Sequence, residues 1–65
     1  MQKYIFLGEN SSGDTIEKEL RYHNDMTAMI EVNAFAMLNG CKLYALHRTD
    51  MTPVYHSIWG VATGW

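Results

Sequence analysis

The sequence predicts an α+β fold, a small antiparallel sheet with one helix packed on one face, in the order ββαββ. Three observations lead there. Runs of β-branched and aromatic residues alternate with Gly, Asn, Ser and Pro. One stretch, MTAMIEVNAFAMLNGC (26–41), is flanked by helix start and stop signals. The chain has 65 residues, enough for a single domain, 1–65, with a thin core.

KYIFL (3–7) reads as the first strand, and Gly8 is expected to end it. GENSSGD (8–14) is turn chemistry throughout. TIEKELRYH (15–23) alternates, with Ile16, Lys18, Leu20 and Tyr22 on one face and Thr15, Glu17, Glu19, Arg21 and His23 on the other. A helix also has support there, because Asp14 and Glu17 stand at capping-box spacing. The Gly-rich loop before it suits a hairpin, which favours the strand.

Asn24-Asp25 offers a helix N-cap, and Asn39-Gly40 offers the stop. KLYALHR (42–48) reads as a strand, and residues 49–53 as a turn. PVYHSIW (53–59) reads as the last strand, with Pro53 tolerated at its first position. GVATGW (60–65) is expected to be a C-terminal tail.

The helix has an unusual pattern. Placed at 3.6 residues per turn, Met26, Ile30 and Met37 fall together, and Ala34, Leu38, Phe35, Ala28, Val32, Ala36 and Met29 follow around the circle. Thr27, Glu31, Asn33 and Asn39 are scattered among them, so no contiguous polar face remains. A helix apolar all round is normally buried on all sides, which four short strands cannot achieve. Three outcomes are open: the alanines form an exposed back, the helix pairs with its own copy, or it docks on another protein.

Composition narrows the function classes. The net charge is −2 and the five basic residues do not cluster, so no nucleic-acid footprint is present. The stretch 26–41 falls short of the ~20 apolar residues of a membrane helix. Tyr4-Ile5-Phe6-Leu7 is too short for a signal h-region. With one cysteine, Cys41, this points to a reducing, cytoplasmic setting. Asn10-Ser11-Ser12 matches a glycosylation pattern, read here as loop sequence.

No motif argues for an enzyme. His23, His47 and His56 lack the short spacing of metal ligands, so no metal and no cofactor is expected. Cys41 falls at a helix C-terminus, where the dipole disfavours a thiolate, and reads as a buried structural cysteine. Glu17 and Glu19 share their face with Arg21 and read as solvated. Gly8 to Gly13 has neither the spacing nor the Lys-Ser/Thr of a phosphate loop. Tyr44, Tyr55, Trp59 and Trp65 gather in the last third, and Tyr and Trp are favoured at interface centres. In a regular strand Tyr55 and Trp59 would lie opposite Val54, His56 and Ile58. The candidate protein-interface residues are therefore Met26, Met29, Ile30, Phe35, Met37, Tyr55, Trp59 and Trp65.

The succession of Tyr4-Ile5-Phe6-Leu7-Gly8-Glu9, Phe35-Ala36-Met37-Leu38-Asn39-Gly40-Cys41 and Lys42 to His47 resembles a class of very small accessory and early proteins of tailed bacteriophages. These bind and inhibit host machinery or defence factors. The resemblance covers most of the chain as a pattern of elements, and no functional residue carries over from it. It implies a stoichiometric inhibitor or antagonist that occludes another protein's surface. The alternative is a self-associating structural or accessory subunit, a homo-oligomer with no foreign target. An enzyme or a metal protein is the third possibility.

Overall fold

The computed structural model describes residues 1–58, 60 and 61. Five strands and one helix follow in the order β1 (Gln2–Asn10), β2 (Thr15–Tyr22), α1 (Asp25–Leu38), β3 (Cys41–Arg48), β4 (Pro53–His56) and β5 (Gly60–Val61). They form one sheet of order β2-β1-β3-β4-β5, every neighbouring pair antiparallel. The α+β class and the ββαββ order of the larger elements stand as the sequence predicts.

The hairpin alternative for 15–23 is the one adopted. β1 and β2 pair from Gln2↔Tyr22 to Glu9↔Thr15. The Asn10 side chain closes the turn, its Oδ1 accepting from the Ser12 and Asp14 amides at 3.0 and 2.9 Å. Pairing with β1 puts Ile16, Leu20 and Tyr22 on the core side, and that satisfies the alternation better than a helix, which would turn Tyr22 away.

Several strand ends shift by one residue, Cys41 opening β3 among them, and two boundaries differ by more. β1 does not end at Gly8 but runs on to Asn10. Gly8 is there for space rather than for a turn. A Cβ on it would lie 2.9 Å from the Phe6 ring and 3.0 Å from Cys41 Sγ. A strand glycine commonly marks such a close approach.

At the other end, β4 stops at His56 instead of reaching residue 59. His56 Nδ1 accepts the Ile58 amide at 3.0 Å, which turns the chain back. Gly60 and Val61 then pair with His56 and Tyr55, so the expected tail contributes a short strand.

α1 connects the edge strand β2 to β3 and crosses β1, lying chiefly over β3 with β2 and β4 to its sides. Asn24 caps its start, Oδ1 accepting from the Thr27 amide at 2.8 Å. Asn39 ends it, and Gly40 follows at a φ of 68°, the left-handed conformation that glycine adopts without strain. Its N-terminus is tied to the sheet. Asp25 accepts a 2.7 Å hydrogen bond from the Tyr4 hydroxyl and pairs with Arg48, joining β1, α1 and β3.

The core lies between α1 and the sheet. Tyr4, Phe6, Leu46 and Val32 are its largest fully buried side chains, and Cys41 is buried as expected. Each such apolar side chain contributes roughly 1.5–3 kcal/mol by leaving water. Phe6 meets Phe35 edge-on at 4.8 Å and stacks beside Tyr44 at 5.9 Å. Val54 and Tyr55 do not take opposite faces. A register shift between Leu46 and His47 bulges β4 here, and both side chains join the core.

Candidate interaction surface

The packing of α1 decides which of its apolar residues remain outside. Ala28, Val32 and Ala36, spaced four apart, face the sheet and are at most 1% exposed. Small side chains on that stripe let the helix lie close to the strands. Met29 and Phe35 reach the core from the flanks of that stripe, and the long side chains opposite it point outward. Met26 is 68% exposed, Ile30 69%, Met37 80% and Leu38 86%.

The polar residues do not dilute this face, because several are turned back on the protein. Asn33 donates to the Met29 carbonyl at 2.8 Å and accepts from the Tyr44 hydroxyl. Asn39 donates to the Phe35 carbonyl at 2.8 Å. Glu31 lies on the flank beside β2, where its charge adds to burial in raising the Tyr22 pKa. Between the flanks, the outward strip holds Met26, Thr27, Ile30, Ala34, Met37 and Leu38.

The interface candidates therefore divide. Met26, Ile30 and Met37 share the outward strip. Met29, Phe35 and Tyr55 are half-buried against the core, Phe35 on Phe6 and Tyr55 stacked on Tyr44 at 6.1 Å. Trp59 and Trp65 fall outside the described residues. Leu38, the most exposed large apolar residue of the helix, was not among the sequence candidates. Its signal was its place one turn beyond Ala34 on the side opposite Ala28 and Val32.

At its C-terminal end the strip borders a groove of about 560 Å³. It is lined by Ser11, Asn33, Met37, Gly40, Cys41, Lys42 and Tyr44. The groove lies between the β1–β2 turn, the end of α1 and the start of β3.

The sheet face away from α1 is different in character. Ile5, Leu7 and Ala45 are half-buried there, with His47 and His56 beside them and Leu43 at the end. Along the β2 edge the same face carries Glu17, Glu19 and Arg21, and Glu19 pairs with Lys3 and Arg21. A charged edge strand discourages pairing with foreign strands.

Ionisable groups follow structural needs. Burial, then the hydrogen bond to Asp25, pushes the Tyr4 hydroxyl up to about 12. The same bond, with Arg48, holds the Asp25 carboxyl below its ordinary value. Burial also raises Tyr44. Among the described residues no three His, Cys, Asp or Glu side chains converge as metal ligands, and no helix is long and apolar enough to cross a membrane. No protein-family model, curated protein or solved structure matches this chain.

Proposed function

We propose that this chain is a protein-binding module that acts in the cytoplasm as a stoichiometric antagonist, laying the outward strip of α1 over an apolar surface of another protein. One observation carries the reading: four large apolar side chains, each at least 68% exposed, stand on one side of a single fourteen-residue helix. Each would contribute roughly 1.5–3 kcal/mol on full burial, comparable in sum to the stability of a small domain. The helix-in-groove mode of recognition uses residues at this spacing. Methionine suits it, because a flexible thioether adapts to irregular surfaces.

The test is an affinity capture with three forms of the chain: native, Ile30→Glu and Met37→Glu. Both positions are exposed, so the variants fold. A partner recovered at equimolar ratio with the native chain and lost with both variants supports the reading. A partner that both variants retain in full assigns the contact to another surface.

A further inference from the structure

The outward strip of α1 is close to self-complementary when read in opposite directions. We infer that a second copy of this chain covers it, the two helices lying antiparallel across a two-fold axis that passes between Ile30 and Ala34 on the outward strip. This rests on the reading of the strip as a docking surface: the second copy occupies the strip until another protein takes its place.

The pairing follows from helical geometry. Antiparallel helices bring together residues at equal distances on either side of the axis and on the same flank. On one flank Met26 then meets Met37 of the second copy, and on the other Thr27 meets Leu38. At the centre Ile30 lies over Ala34, the one small exposed residue of the strip, and Ala34 receives Ile30 in return. A large side chain over a small one lets two faces interdigitate. The opposed direction also sets each helix N-terminus beside a C-terminus, which the macrodipoles favour. The last turn of α1 has no basic residue to do this within one chain.

Size and charge agree with this. Met26, Ile30, Met37 and Leu38 each have more than two thirds of their surface exposed. Such side chains bring roughly 100 Å² apiece, so eight across the axis supply roughly 800 Å² of apolar area. The smallest standard interfaces bury about 1,200 Å² in total, and about 65% of a homodimer interface is apolar. Buried in full, the strip thus supplies the apolar area of the smallest standard interface, which fits a dimer in reversible equilibrium with its monomer. Glu31 sits on the flank beside Tyr22 and stays in water at the rim.

Sedimentation equilibrium of the full chain across micromolar to millimolar concentration tests the inference. The native chain is expected to show a monomer–dimer equilibrium, and Ile30→Glu to weaken it at least about 100-fold, since two central contacts are lost. Circular dichroism of the variant, unchanged from the native chain, establishes that it is folded. Glu31→Gln is expected to tighten the dimer about twofold by removing two like charges from one rim.

Register is read by oxidative cross-linking. A mixture of Met26→Cys and Met37→Cys chains should form the mixed disulfide. Met26→Cys alone should not, because its two copies lie roughly 17 Å apart along the axis. Cross-linking of Met26→Cys to itself overturns the antiparallel arrangement. A chain that stays monomeric to millimolar concentration overturns the dimer and leaves the docking surface bare for another protein. A dimer that Ile30→Glu does not weaken overturns the inference by placing the self-contact on another surface, and the reading of the strip as a site for another protein then rests on the capture experiment alone.

Discussion

On the inner side of α1, Ala28, Val32 and Ala36 are essentially inaccessible to solvent, while Met26, Ile30, Met37 and Leu38 on the outer side stand in water. Hydropathy does not separate the two sides. Angular position does. Ala28, Val32 and Ala36 point straight at the sheet, the larger Met29 and Phe35 reach the core from the flanks, and the residues opposite them, Ala34 included, stay outside. A hydrophobic residue in a helix of a small domain is therefore weak evidence of burial, and its direction relative to the sheet is stronger evidence.

One acid placed on each side breaks or sharpens this contrast most directly. Val32→Glu buries a carboxylate with no partner and should abolish the thermal transition seen by circular dichroism. Ile30→Glu, two residues away, should leave the dilute chain's stability within about 0.5 kcal/mol. Equal effects would mean that the two sides are not distinct.

Volume is tested next. Ala28→Leu should cost about 1–3 kcal/mol in urea unfolding by overpacking the helix–sheet gap. Gly8→Ala probes the opposite wall of the core and should cost a similar 1–3 kcal/mol, because its Cβ meets Phe6 and Cys41. Were Gly8 only a turn residue, the substitution would be nearly neutral.

The tie between the helix start and the sheet has a smaller effect and a pH signature. Tyr4→Phe removes the bond to Asp25 and should cost about 0.5–1.5 kcal/mol. Asp25 has a lowered folded-state pKa, so its contribution is full above the unfolded carboxyl range and is lost as the pH falls through the depressed value. Tyr4 is raised from 10.0 to about 12, so its contribution is full below pH 10 and disappears as the pH rises toward 12. Urea midpoints across pH should show both losses in the native chain. Tyr4→Phe should blunt the acid loss and remove the Tyr4 share of the alkaline one.

The smallest effect is expected at Met51, a non-glycine residue at a φ of 70° in the β3–β4 turn. Met51→Gly should raise stability by no more than about 0.5–1 kcal/mol, the relief of left-handed strain being offset by added freedom in the unfolded chain.

Much of this architecture was legible in the residues. Asn24 and Asn39-Gly40 marked the helix because capping is local chemistry. The alternation of Ile16, Leu20 and Tyr22 marked β2 because a two-residue period is also local. Gly8 misled because the same residue serves turns and close approaches, and the second depends on Cys41, far along the chain. The bulge in β4 was invisible for a similar reason, since it arises only in the register with β3. The excess of apolar surface on the helix was readable, but its direction was not. That required knowing that Ala28, Val32 and Ala36, rather than Met26, Ile30 and Met37, face the strands.

The stripe of small residues has a consequence for how such a protein changes over generations. Because Ala28, Val32 and Ala36 set the seat of the helix, the side chains on its far side can be rewritten while the core stays intact. The residues that seat the helix and those free to vary are thus nearly separate sets on one short segment. Met26, Ile30, Met37 and Leu38 can change at little risk to the scaffold, which makes the same four positions the natural place for a designer to graft a recognition surface.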